Sequence, residues 1–149
     1  MSEALNDALA GAMRLLATRE HSQHELRRKL TQKGHEPETA ELAIVQLAEQ
    51  DLQSDERFVE SFINSYRERG KGPKRIQMEL TQHNLPEYLL EQHLDPSDDV
   101  WREAAANVRT KKFGGALPEE YKDQMKQAKF LEYRGFTHDQ IFSILKETS

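Results

Sequence analysis

Arg28-Lys29-Leu30-Thr31-Gln32-Lys33-Gly34 is answered fifty residues later by Met78-Glu79-Leu80-Thr81-Gln82-His83-Asn84. It is answered again, more loosely, by Lys129-Phe130-Leu131-Glu132-Tyr133-Arg134-Gly135. Leu30, Leu80 and Leu131 hold the same place in each copy, and four residues on stands Gly34, Asn84 or Gly135. Gly and Asn are the residues that tolerate a left-handed helix end, so each leucine belongs to the last turn of a helix. Beyond the cap come Ala40, Leu90 and Ile141, then Ile44, Leu94 and Leu145, an i, i+4 apolar pair in every copy. Upstream, Ala8, Leu9, Ala12, Met13 and Leu16 match Phe58, Val59, Phe62, Ile63 and Tyr66. Each repeat therefore reads as three helices. A unit this small buries little core alone and needs stacked neighbours.

The expected fold is all-α: three tandem three-helix repeats, 1–53, 54–96 and 97–149, forming an elongated, curved right-handed or solenoid-like rod. Helices are predicted over 3–18, 22–33, 37–50, 54–69, 73–83, 86–94, 97–112, 118–134 and 137–147. Ser22-Gln23-His24-Glu25 reads as a capping box. Pro37, Pro73, Pro86 and Pro118 sit where helices should begin, since a first helical position needs no N–H. Ser97 and Thr137 are expected N-caps. No alternating strand pattern appears between turn residues. Phe58, Phe62 and Tyr66, spaced i, i+4, i+8, read as a buried stripe.

The 149 residues carry a formal net charge of -5, distributed as -3, -2 and zero over the three repeats. Such a chain has no global attraction for nucleic acid, and any phosphate contact must come from a local basic stripe. There are no cysteines, which excludes disulfides and thiolate metal sites and suits a reducing cytoplasm. The stretch from Met1 to Leu16 lacks a basic start and an uninterrupted apolar run, so neither a signal peptide nor a membrane span is expected.

Catalytic chemistry finds little support. Gly70-Lys71-Gly72-Pro73 opens a helix, but it lacks phosphate-loop spacing and Pro73 removes a backbone donor, so it reads as a tight turn. His21 and His24 straddle a cap without a third ligand at metal-binding spacing. Asp95, Asp98 and Asp99 read as a loop and a favourable helix start. No cofactor is expected.

The densest functional signal is Tyr66 to Ile76. It holds Arg67, Arg69, Lys71, Lys74 and Arg75 against the single anion Glu68. Two glycines allow the backbone to turn so that cations of two helices face one way, an arrangement suited to phosphates or clustered carboxylates. Repeat one offers Arg27, Arg28 and Lys29 on its second helix. Repeat three offers Arg109, Lys111 and Lys112, followed by Lys122, Lys126 and Lys129. The competing reading is a solvated charged face.

Three segments resemble the RecX family: Ser22 to Leu30, Ser54 to Phe62, and Arg69 to Leu80, with Phe130-Leu131-Glu132-Tyr133-Arg134-Gly135-Phe136 similar to its closing motif. The resemblance covers nearly the whole chain. It implies a small, cytoplasmic, non-enzymatic regulator that acts as a monomer. Its expected partner is the RecA filament on single-stranded DNA. Binding in the filament's helical groove would restrain ATP hydrolysis, co-protease activity and strand exchange. Single-stranded DNA is implied as a secondary partner, with no membrane. The alternative is an autonomous DNA-binding helical-repeat protein.

Overall fold

The computed structural model describes residues 2–146. Those residues form nine α-helices and no strand. The helices are α1 (Glu3–Thr18), α2 (Gln23–Gln32), α3 (Pro37–Glu49), α4 (Asp55–Glu68), α5 (Pro73–Leu80), α6 (Glu87–His93), α7 (Asp99–Phe113), α8 (Tyr121–Arg134) and α9 (His138–Leu145). A single 3-10 turn, Thr81–His83, extends α5. The predicted end of the last helix at 147 lies outside the described residues. Two compact units are present. One holds the residues up to Ser61 with His83–Leu85, and the other holds Phe62–Gln82 with the residues from Pro86 onward.

In the first unit the apolar faces of α1, α2 and α3 meet around Ala12, Leu26, Leu30, Ala40, Ile44 and Leu47, with Leu9, Leu15 and Leu16 packed against them. Ser22 caps α2 by accepting from the Glu25 N–H at 3.0 Å. The expected capping box stays half-made, because the Glu25 carboxylate turns to Arg19. Ahead of α4, Gln53 Nε2 donates to the His21 carbonyl at 3.2 Å, and Asp55 Oδ1 accepts from the Gln23 N–H at 2.9 Å. Asp51 adopts a φ of 60°, a left-handed turn without glycine.

In the second unit the buried set includes Ile76, Leu80, Trp101, Ala105, Leu131, Phe136, Ile141, Ile144 and Leu145, and α7, α8 and α9 pack on one another. Thr137 and Gln140 complete a reciprocal capping box at the start of α9. The three repeat-defining leucines 30, 80 and 131 are all 0% exposed. Gly34, Asn84 and Gly135 have φ of 100°, 50° and 104°, the left-handed ends read from the repeat.

Some local expectations shift. Pro118 does not open α8, which begins at Tyr121 after Glu120; instead the Pro118 carbonyl accepts from Gln124. Asp98, not Ser97, caps α7. α6 ends at His93, so Leu94 stands outside it, and Leu89 rather than Leu90 is buried in that helix. Phe62 and Tyr66 are half-buried and stack on each other at 4.0 Å, and only Phe58 of that stripe is fully buried.

One contact occurs twice. In the first unit, Ser22 Oγ lies 2.9 Å from His83 Nδ1, and Asn84 Nδ2 donates to His24 Nδ1 at 3.2 Å. In the second, Gly72 N donates to the Arg134 carbonyl at 2.8 Å and Lys74 N to the Gly135 carbonyl at 2.9 Å. Ser22 precedes Gly72, and His24 precedes Lys74, by the repeat spacing, as His83 and Asn84 precede Arg134 and Gly135. The turn before one repeat's second helix thus docks on the turn after the next repeat's second helix. The first joint uses side chains and the second uses backbone.

Candidate functional site

Gly70-Lys71-Gly72 forms this second joint. A Cβ added at Gly72 would sit 2.5 Å from the Gly135 carbonyl oxygen and the Phe136 nitrogen. Only glycine lets the two chains approach so closely. The N–H groups of Gly72 and Lys74, which a phosphate would need, are spent on carbonyls. Gly70, at φ 86°, ends α4 where a side chain would press on Val108 and Arg134 at 3.2 Å.

Beside this turn opens a groove of about 700 Å³ in the second unit. The end of α4 supplies Arg67 and the turn after it Arg69, α7 supplies Lys111 and Lys112, and α8 supplies Arg134. Val100, Ala104, Val108 and Phe130 give it apolar walls, and Glu68 and Glu103 are its carboxylates. Aromatic rings seat four of these five cations. The Arg67 guanidinium lies 5.8 Å from the Trp101 ring, Arg69 lies 5.3 Å from Tyr66, and Lys112 and Arg134 lie 5.5 and 5.2 Å from Phe130. Arg67 also donates to Asn64 Oδ1 and Arg134 to the Arg69 carbonyl. Among the described residues none of these five cations forms an ion pair. Ring contacts orient a cation without cancelling its charge, so the groove keeps a local positive field in a negative chain.

Of the residues expected to form a basic surface, Arg67, Arg69, Lys111 and Lys112 are brought together here. Lys71, Lys74 and Arg75 do not line the groove, and neither do Lys126 and Lys129, which are exposed on α8. Arg134 was missed. It lies one helical turn beyond Phe130, and only the fold shows that turn facing α4 and α7.

Arg109 corrects the expectation of an exposed cation. It is 3% exposed and donates to the carbonyls of Gly114, Gly115 and Ala116 and to Gln127 Oε1. Its guanidinium holds the loop after α7, and it presents no charge outward.

Repeat one's cations are largely committed. Arg27 pairs in bidentate fashion with Glu41 at 2.6 and 3.1 Å, which lowers the Glu41 carboxyl below its usual range. Lys29 reaches His21 Nε2 at 3.1 Å and Glu25 at 3.6 Å, leaving Arg28 exposed without an ion pair among the described residues. His21 is 1% exposed, and its Nδ1–H donates to the Arg19 carbonyl. Burial pushes its pKa below the ordinary 6.5. Both ring nitrogens are thereby occupied, which removes His21 as a metal ligand. Burial works to raise the Glu25 carboxyl, but Arg19's hydrogen bond and charge, helped by His21 and Lys29, outweigh it and hold the group at about 2.

Family models for RecX match the chain three times: the first three-helix domain at 8–47, the second at 54–94 and the third at 101–145. The chain belongs to the RecX family. Regulatory protein RecX of Halorhodospira halophila is 41% identical over 94% of this chain and 85% of its own length. The protein of the same name from Pseudomonas tolaasii is 44% identical over 90% and 86%. The crystal structure of RecX from Lactobacillus salivarius superposes with a TM-score of 0.80 at 21% identity, covering 99% of this chain and 97% of that one. Relatives named as regulatory proteins support a regulatory role for this RecX-family chain. Among its described residues no helix is long and apolar enough to cross a membrane.

Proposed function

We propose that this RecX-family protein restrains the RecA recombinase by binding the RecA filament on single-stranded DNA, in the filament's helical groove. It would lower ATP hydrolysis, co-protease activity and strand exchange without catalysing a reaction. Acting as a cytoplasmic monomer of three repeats, it would gain affinity from several modest contacts rather than one large apolar patch. Family membership supports this reading. The observation that carries it to particular residues is the groove in which four of five cations are seated on rings and none forms an ion pair among the described residues. Acidic surface on a filament protomer would meet Arg67, Arg69, Lys111, Lys112 and Arg134 there, with Val100 and Val108 available to an apolar neighbour.

The test is RecA ATPase on single-stranded DNA, titrated with the protein at substoichiometric ratios. Wild type should inhibit, and Arg67→Glu/Lys111→Glu/Lys112→Glu should lose at least tenfold in potency, about 1.4 kcal/mol of contact energy. Helicity measured by circular dichroism should stay unchanged. Absence of inhibition by wild type at any ratio rejects the RecA reading. Equal inhibition by a folded triple variant rejects the groove as the contact.

A further inference from the structure

The outer face of α3, in the first unit, carries a pattern that its own core does not use. Glu38, Leu42, Val45 and Glu49 stand at i, i+4, i+7 and i+11, which places them in one row along the helix. Ala40, Ala43, Ile44 and Leu47, on the opposite side, are the buried residues of α3. Leu42 is 61% exposed and Val45 43%, although aliphatic side chains gain by burial. Among the described residues neither Glu38 nor Glu49 forms an ion pair, whereas Glu41, on the flank of the row, is held by Arg27. The row therefore has an acid at each end and aliphatic carbon between, over about 16 Å at the rise of an α-helix.

Scattered apolar residues on a surface need no explanation. The groove of the second unit supplies one, because it shows the reverse charges at the same spacing. Its floor is a run of α7, with Val100, Ala104 and Val108 one above another at i, i+4 and i+8 and Lys111 after them. Val100 and Lys111 are as far apart along their helix as Glu38 and Glu49 are along theirs, about 16 Å. Arg67 stands at the start of the run, over the Trp101 ring. Lys112 and Arg134 share the Phe130 ring at its far end. Cation, aliphatic floor and cation thus answer acid, aliphatic pair and acid. Glu103 lies beside the middle of the floor, where Leu42 and Val45 would bring no charge. A continuously acidic partner would meet it with repulsion.

We propose that α3 of one copy docks in this groove of a second copy, with Leu42 and Val45 on the α7 floor and Glu38 and Glu49 against the cations at its two ends. The occupant is a second copy because every molecule carries both halves of the match. The two surfaces differ, so the contact is head-to-tail, and each pair leaves one groove and one α3 face open to further copies. One helix in one groove is a small interface of the weak, transient class, so association rises with concentration. The self-contact needs no RecA. Its consequence rests on the groove being the RecA contact: the monomer meets the filament, and association covers the groove and withdraws copies from it.

The experiment is sedimentation velocity of the full chain without RecA, over about 10 μM to 1 mM, the range of a weak contact. Wild type should pass from monomer to larger species as concentration rises. Glu38→Lys/Glu49→Lys should weaken association about tenfold or more, and so should Arg67→Glu/Lys111→Glu/Lys112→Glu. Leu42→Ser/Val45→Ser, which keeps the charges, should weaken it as well. Circular dichroism checks that each variant keeps wild-type helicity. Mixed together, the two charge variants should associate with each other, because the intact groove of the first accepts the intact α3 of the second. Wild type that stays monomeric over the whole range overturns the proposal. So does a mixture no more associated than its separate components, or association of either folded α3 variant as strong as that of wild type. Wild type that inhibits RecA ATPase yet stays monomeric rejects the self-contact alone. Wild type that associates yet leaves the ATPase untouched rejects the RecA reading alone.

Discussion

Gly72→Ala tests the joint beside which the groove opens. Gly72 has φ −89° and ψ 171°, a conformation alanine adopts freely, so any cost comes from contact and not from dihedral strain. The new methyl would lie 2.5 Å from the Gly135 oxygen and the Phe136 nitrogen, about 1 Å inside a comfortable separation. Those atoms are backbone and cannot rotate away. Relief requires the turn to withdraw by about that distance, which stretches Gly72 N to Arg134 O from 2.8 Å and Lys74 N to Gly135 O from 2.9 Å beyond bonding range. Overpacking costs about 1–3 kcal/mol, and two lost hydrogen bonds cost about 0.5–1.5 kcal/mol each. Alanine's stiffer unfolded chain returns about 0.4–1 kcal/mol. The expected net loss is therefore about 1–5 kcal/mol, up to a large share of a typical domain's stability. Urea unfolding followed by Trp101 fluorescence reads this directly, because Trp101 is the only tryptophan and is 2% exposed in the second unit. Gly115→Ala is the control: no atom lies within 4 Å of its added Cβ and its φ is not left-handed, so it should change stability by about 1 kcal/mol at most. A Gly72→Ala protein within about 0.5 kcal/mol of wild type would refute the reasoning.

Three further outcomes follow from named contacts. Arg109→Met should cost about 2–4 kcal/mol, since the carbonyls of Gly114, Gly115 and Ala116 lose their donor, and limited proteolysis should newly cut within 113–118. Thr137→Ala removes one half of the α9 capping box and should cost about 1 kcal/mol in thermal or urea unfolding. For acid stability the sign is set by lowered native pKa values, which contribute stability above the unfolded value and lose it below. Loss should begin as pH falls below 6.5, where unfolded His21 and His83 take up protons that burial keeps off the native rings. It should steepen below 4.5 as Glu25, held at about 2, is outdone by its unfolded counterpart. Arg19→Gln should shrink the second phase, leaving the share of Glu41, and keep the first when urea midpoints are followed by circular dichroism from pH 7.5 to 3.

Much of the architecture was legible because it depends on local periodicity. A leucine four residues before a left-handed Gly or Asn can only end a buried helical turn, and 30, 80 and 131 do so. Side-chain partners across the fold were harder to read. Glu25 stands where a capping box wants it, yet Arg19 is close enough in space to take the carboxylate. Leu90 has the repeat register, yet the short α6 turns Leu89 inward.

The candidate site divides the same way. Composition and spacing alone establish an all-α repeat chain, cysteine-free and acidic overall, with cations concentrated between Tyr66 and Ile76. Tertiary structure decides which of those cations have work outside the fold. Arg109 sits among the expected surface cations in sequence, but carbonyls five to seven residues on capture it. Arg134, legible in the chain only as part of a repeat motif, comes beside Arg67 and Lys112 because α8 ends against the turn after α4. Helix phase is written every few residues, whereas the partner of a long charged side chain depends on elements that meet only after folding.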